Sequence, residues 1–339
     1  MNLKKTRIYN LESLVAKIKE IVSIARDQVA YSVNNELLIT YWEIGHQIVE
    51  HEQKGELRAS YGEKLLIELS KRLTKSLGKG YSRSNLQNMR ALYVTYPKRQ
   101  TLSGKLSWSH YCELISIEDP HKRAFYENET INARWSVREL QRQMDSSLFE
   151  RLLLSKGEAN KEKVMALAKQ GHKINTPADM IKDPYVLEFL GIPEEKTFLE
   201  KELEQRLIRQ IEDFLLELGK GFMYVGSQQR VTLANKHYYV DMVFYNKILK
   251  AYVLIDLKTG RLEPDHIGKM NMYLNYYRTE INEKTDNPPI GIILCKDKNN
   301  IAAEYALGGI NNQLFASKYT LYIPAKEVLI DQVKKALKK

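Results

Sequence analysis

Two runs of β-branched and aromatic residues dominate what this chain can fold into: Tyr238–Tyr245 (YYVDMVFY) and Ala251–Lys258 (AYVLIDLK). Runs of this length and composition, close together in sequence, read as two antiparallel strands of a hairpin. Each carries charge where an apolar residue belongs. Asp241 interrupts the first run, and the second closes on Asp256-x-Lys258. Side chains alternate faces along a strand, so Asp256 and Lys258 point the same way. A four-residue loop at Lys247–Lys250 sets Asp241 directly opposite Asp256, and a shift of two keeps the pair diagonal on one face. Burying such charges is costly unless they have partners or work to do. Two facing carboxylates repel, and a divalent cation is the natural compensation.

A third carboxylate comes from the helix expected at Phe198–Leu218. Glu204 shares the line 204–208–211–215 with Ile208, Ile211 and Leu215, so it borders the apolar stripe, whereas Glu202 falls on a charged line with Arg206, Arg209 and Asp213. Asp241, Asp256 and Glu204 are therefore the candidate metal ligands, with Mg²⁺, or Mn²⁺ in its place, as the cofactor. That set suits phosphodiester hydrolysis, in which the cation activates water and Lys258 orients it or stabilises developing charge. Acid-x-Lys by itself says little. It recurs at Glu52-x-Lys54 and Glu194-x-Lys196, neither in a strand pattern. The competing account of Asp256 and Lys258 is an ordinary salt bridge at a strand end.

Around the hairpin the second half alternates helix and strand. Further strands are expected at 222–225, 229–233, 290–295 and 314–323, and helices at 264–279 and 300–307, giving an α/β unit around a central mixed sheet. The first half reads as helical throughout, with no strand expected before residue 160. Leu11, Leu14, Val15, Ile18, Ile21 and Val22 form a 3,4-spaced stripe within a helix over 10–50. Helices follow at Tyr61–Leu77 and from about Ser84, taken as an N-cap, to Tyr96 before Pro97. Further helical segments come after Ser107, Asp119-Pro120 and Ser136. Gly157, Gly171, Pro177, Pro184, Gly191 and Pro193 punctuate what lies between the halves. The expected organisation is 1–155 helical and basic, 156–195 connecting, and 196–339 catalytic: an α+β chain of two domains.

The chain carries 52 Lys+Arg against 42 Asp+Glu, a net charge of +10, which favours polyanionic partners. The excess is concentrated. From Lys71 to Cys112 there are nine basic residues and no acid. This window overlaps a helix–turn–helix pattern, with the turn at Gly78–Ser82. Lys71, Arg72 and Lys75 on the first helix suit phosphates, Lys79 in the turn is a further nucleic-acid contact, and Arg83, Asn85, Asn88 and Arg90 lie on the second helix, where Arg and Asn make bidentate contacts to base edges. The bland alternative is two antiparallel helices with a solvated basic face. Tyr81, Tyr93, Tyr96, Trp108 and Tyr111 have the spacing of core residues rather than of a stacking platform. His237, His266, Gln228 and Gln229 read as loop, helix-start and strand-edge residues.

The segment YVDMVFYNKILKAYVLIDLKTG, followed by GKMNMYLNYY, resembles the YhcG-like nuclease family of the PD-(D/E)XK, or restriction-endonuclease-like, superfamily. YWEIGHQIVE, YGEKLLIELSKRL, SRSNLQNMR, LSWSHY and WSVRELQRQ are similar to that family's N-terminal part, so the resemblance covers nearly the whole chain. It implies an N-terminal helix-turn-helix or winged-helix domain and a C-terminal restriction-endonuclease-like domain. The superfamily pattern maps onto Asp241, Asp256 and Lys258, with Asp where many members have Glu, and the helix acid onto Glu204. A polar residue on the helix after the lysine strand is common in the superfamily, and Lys269 is the nearest match.

The expected activity is Mg²⁺-dependent cleavage of DNA, in repair, recombination or restriction. The alternatives are a DNA-binding or assembly protein whose nuclease-like domain does not cut alone, and a module within a restriction or repair assembly. DNA is the expected partner, with self-association open to a restriction-like domain. Two separated cysteines, Cys112 and Cys295, exclude a disulfide framework, and no Gly-x4-Gly-Lys-Ser/Thr loop is present. Lacking a long apolar segment, the chain is expected to be cytoplasmic, away from membranes.

Overall fold

A computed structural model describes residues 11–54, 59–154, 161–182, 184–193, 198–297, 313–323 and 325–337. The chain divides into two compact units between Arg123 and Ala124.

The first unit contains α1 (Leu11–Lys54), α2 (Ala59–Leu77), α3 (Arg83–Thr95), α4 (Trp108–Leu114) and the first residues of α5 (Pro120–Ala133). Leu66 of α2 and Leu86 and Met89 of α3 close around Ile48 of α1. Gly45 lets α1 and α3 meet at the backbone: a Cβ there would stand 2.1 Å from the Met89 carbonyl oxygen. The helix–turn–helix pattern is present, but α3 starts earlier than expected. Ser82, not Ser84, is the N-cap, its side chain accepting the Asn85 N–H at 3.2 Å. Among the described residues of this unit there is no strand, so a wing has no counterpart there. The stripe on α1 is exposed: Leu14, Val15, Ile18, Ile21 and Val22 all face solvent. Spacing defines a face but does not supply the surface that covers it.

The second unit holds the rest of α5, then α6 (Val137–Asp145), α7 (Leu148–Leu154), α8 (Lys161–Gln170), β1 (Tyr185–Val186), α9 (Glu200–Arg209) and α10 (Ile211–Leu218). After these come β2 (Phe222–Leu233), β3 (Lys236–Asn246), β4 (Ala251–Arg261), α11 (Pro264–Tyr276), β5 (Ile290–Asp297), β6 (Gln313–Thr320) and α12 (Lys326–Leu337). The six strands form one mixed sheet in the order β1-β6-β5-β4-β3-β2. The β2–β3–β4 pairs are antiparallel, and the β4–β5, β5–β6 and β6–β1 pairs are parallel.

Apolar residues cover both faces of the sheet. Leu203, Leu207, Phe214 and Leu218 from α9 and α10 pack with Phe244, Val253, Ile255 and Ile292. Ile267, Met270 and Leu274 from α11 pack with Val243, Leu254 and Ile293. Burial on both sides explains why β5, IGIILC, is apolar without alternation.

Several expected elements differ in detail. The helix over 198–218 is two helices, because Gln210 leaves helical geometry at φ −117° and ψ 41°. The strands at 222–225 and 229–233 are one strand whose register shifts between Tyr224 and Gly226. The helix expected at 300–307 lies outside the described residues, and α12 has no counterpart among the expected elements.

A buried ion cluster ties α6, α7 and β1 to α10. Glu217, fully buried, accepts hydrogen bonds at Oε1 from Arg151 Nη1 at 2.7 Å and from the Val186 N–H at 3.0 Å. Arg142 Nη1 lies 3.5 Å from Oε2, and Lys182 Nζ donates to the Glu217 carbonyl oxygen. Burial alone would raise the Glu217 carboxyl, but Arg151, Lys182 and Arg142 outweigh it and hold it at about 2.

Candidate active site

The β3–β4 ladder pairs Asn246 with Ala251 through Met242 with Ile255, so the loop is Lys247–Lys250 and the next positions in register are Asp241 and Asp256. There a side chain replaces backbone pairing, since Asp241 Oδ2 accepts the Leu257 N–H at 2.8 Å. Asp256 is 1% exposed, and both of its oxygens are sealed from solvent. Its charge is met by ammonium groups instead. Lys258 Nζ stands 2.8 Å from Oδ2 and Lys269 Nζ 3.6 Å from Oδ1. Lys269 thus reaches the site from α11, one turn before Tyr273, whose hydroxyl donates to the Tyr239 carbonyl at 2.8 Å.

The electrostatics follow from this crowding. Burial raises the Asp241 carboxyl, and the neighbouring Asp256 raises it further. Burial alone would lower the Lys258 ammonium, but Asp256 beside it outweighs burial and the group is raised. Burial also raises Glu204, while a hydrogen bond from Gln228 pulls it back.

Glu204 is buried on α9, on the side that periodicity indicates, and meets the strand acids through Gln228. Gln228 Nε2 donates to Glu204 Oε2 at 2.7 Å and lies 3.4 Å from Asp241 Oδ1. Among the described residues, no three His, Cys, Asp or Glu side chains converge as a ready-made metal cluster. The donor set still suits a hard divalent cation. It offers carboxylate oxygens from adjacent strands, two of them fully buried.

Two participants lie beyond the reach of the sequence reading. Glu200 Oε2 lies 3.1 Å from Lys258 Nζ. It precedes Glu204 by one helical turn, so helical spacing places both on one face of α9. Gln228 is the other, more than the strand-edge residue that its position suggests. The two-residue turn Ala234–Asn235, with φ 46° and 59°, fixes β2 against β3 and brings Gln228 to the level of Asp241. His266 Nδ1 accepts the Glu263 N–H at the start of α11, and His237 Nδ1 lies 3.0 Å from Thr232 Oγ1.

In the first unit the eight candidate nucleic-acid contacts separate into two groups. Lys71, Lys75, Lys79 and Arg83 are exposed on α2, the turn and the start of α3. Asn85 is taken up internally, its Nδ2 donating to the Gly80 carbonyl and its Oδ1 accepting from Trp108 Nε1 at 2.9 Å. Asn88 Nδ2 donates to Cys112 Sγ at 3.4 Å. Arg90 Nε bonds Glu52 at 2.7 Å, and Arg72 Nε bonds Glu68 at 2.8 Å. The acid-free window is thus partly neutralised by acids outside it. Tyr96 and Tyr111 are core, and Tyr81 and Trp108 pack against it.

Residues 178–338 match a family described as the YhcG PDDEXK nuclease domain, and residues 17–151 match the DUF1016 N-terminal domain. The chain is 36% identical over 351 residues to "Putative nuclease YhcG" of Escherichia coli (strain K12), covering 93% of this chain and 92% of that protein. Among solved structures, a repair endonuclease from Pyrococcus abyssi aligns at 16% identity over 37% of this chain, with a TM-score of 0.26. EndoMS in apo form aligns at 15% identity over 39%, also with a TM-score of 0.26. The alignment spans 49% of each of those two chains. No described helix is long and apolar enough to cross a membrane. The chain belongs to the YhcG family, and its carboxylate–lysine hairpin lies inside the stretch that matches that family's PDDEXK nuclease domain.

Proposed function

We propose that this chain is a divalent-cation-dependent nuclease that hydrolyses phosphodiester bonds in DNA. The observation that carries the reading is the pair Asp241 and Asp256, opposed on adjacent strands, with both Asp256 oxygens buried and facing the Lys258 and Lys269 ammonium groups. These two acids, with Glu204 assisting, would hold Mg²⁺ or Mn²⁺, which would supply water activation and charge compensation at phosphorus. The other roles belong to side chains. The raised Lys258 ammonium keeps its proton, so it donates to a phosphate oxygen or to the attacking water and does not serve as a base. Glu200 and Asp256 hold that ammonium from two sides, which fixes its direction. Lys269 adds a second positive charge. In the first unit Lys71, Lys75, Lys79 and Arg83 contact phosphates, binding DNA largely without regard to sequence.

The test is a cleavage assay with labelled duplex, forked, four-way and single-stranded DNA. Wild type and Asp256→Ala are incubated with Mg²⁺, Mn²⁺ or EDTA. Cleavage that both EDTA and the substitution abolish is the expected result. Binding without cleavage on every substrate replaces this reading with that of a DNA-binding protein whose nuclease-like domain needs a partner.

A further inference from the structure

Gln228 is unusual in both backbone and side chain. It lies within β2, yet its φ is +48°, a left-handed conformation that residues other than glycine, asparagine and aspartate seldom adopt. Strand pairing on either side is in register, Ser227 with Met242 and Gln229 with Val240, so no inserted residue accounts for the twist. Its result is that the side chain reaches both Glu204 and Asp241. One NH₂ group lies 2.7 Å from Glu204 Oε2 and 3.4 Å from Asp241 Oδ1. A carboxamide NH₂ carries only partial positive charge, and here it stands between two carboxylates.

We propose that Gln228 is a cation ligand for the site that Asp241, Asp256 and Glu204 frame, and that its carboxamide turns over when the cation binds. This deepens the nuclease reading and rests on it. A carboxamide has a donor end and an acceptor end on one planar group. A half-turn about its last side-chain bond exchanges the NH₂ for Oε1, a neutral oxygen of the kind that hard divalent cations accept. The same side chain then links the acids by donating to them, or joins them in coordination by offering oxygen. Glu204, which alone falls short of the strand acids, enters the site through this residue.

The experiment is calorimetric titration of the full-length protein with Mn²⁺, with melting curves recorded in parallel. The variants are Asp256→Ala, Gln228→Gly, Gln228→Leu and Gln228→Glu. Glycine is the informative change, because it accepts the left-handed backbone while removing the carboxamide. Gln228→Gly is expected to melt no lower than wild type and to bind Mn²⁺ at least about tenfold more weakly. Gln228→Leu is expected to weaken binding similarly and to melt lower. Gln228→Glu is expected to bind at least as tightly as wild type. If Gln228→Gly retains wild-type Mn²⁺ affinity while Asp256→Ala loses it, the role of Gln228 is overturned and the nuclease reading stands. If wild type and Asp256→Ala fail equally to bind Mn²⁺, both are overturned.

Discussion

The Asp241 carboxylate takes the place of a strand partner for Leu257, accepting its N–H at 2.8 Å where the β3–β4 ladder ends. One acid of the site is thereby anchored to the backbone that carries the other acid and Lys258. The relative placement of Asp241, Asp256 and Lys258 is set by the sheet, so it does not await substrate.

Asp241→Asn should separate stability from activity. Asparagine keeps an oxygen for the Leu257 N–H and removes a buried charge beside Asp256. Cleavage is expected to fall at least about 100-fold. The melting temperature is expected to rise by about 2–4 °C, the equivalent of roughly 1 kcal/mol. Paired melting and cleavage measurements check this, and a lower melting point would show that repulsion between the acids is not the dominant local cost.

Lys258→Met leaves Asp256 buried with Lys269 as its remaining cation, at 3.6 Å. The expected destabilisation is about 2–3 kcal/mol, below that usual for breaking a buried pair because Lys269 stays. Adding Asp256→Asn should recover much of it. A double-mutant cycle by urea denaturation measures the coupling.

The Glu217 cluster predicts acid lability in the second unit. The folded carboxyl sits at about 2 against an ordinary value of 4.5. A depressed carboxylate contributes fully above its ordinary value and loses that contribution as pH falls from about 4.5 to about 2. The total is on the order of 3 kcal/mol. Glu217→Gln should be less stable at neutral pH and should lose less stability across that interval. Denaturation midpoints at several pH values provide the comparison.

In the first unit, exposed and internally bonded residues should behave differently. Replacing Lys71, Lys75 and Lys79 together by alanine should leave the melt unchanged. It should flatten the salt dependence of duplex binding by about 0.9 for each phosphate no longer neutralised. Asn85→Ala should leave that slope alone and destabilise the unit by about 1–2 kcal/mol, through loss of the Gly80 and Trp108 bonds. Fluorescence anisotropy across a salt series distinguishes the two.

The hairpin is legible in the sequence because strand alternation and loop length are local arithmetic, and they suffice to oppose Asp241 and Asp256. Glu204 is legible because a helix repeats every 3.6 residues. Gln228 is not, because a left-handed residue within a strand contradicts the local preference of its type. Nor are the roles of Asn85 and Arg90, whose partners Trp108 and Glu52 are distant in sequence. An acid-free window describes neighbours along the chain, while charge is neutralised by neighbours in space. The break at Gln210 is hidden for a related reason, since the apolar pattern continues through it.

The close crossing at Gly45 has a mechanical consequence. With a Cβ excluded by the Met89 carbonyl, α1 is seated closely on α3 there, and Gly104 meets α1 again at Tyr31 and Asn35. At 1.5 Å per residue, the arm from Tyr31 back to Leu11 is about 30 Å long. A tilt of about 10° of that arm would carry its tip through about 5 Å. A small bend where this seat ends would thereby become a larger displacement at the far end of α1.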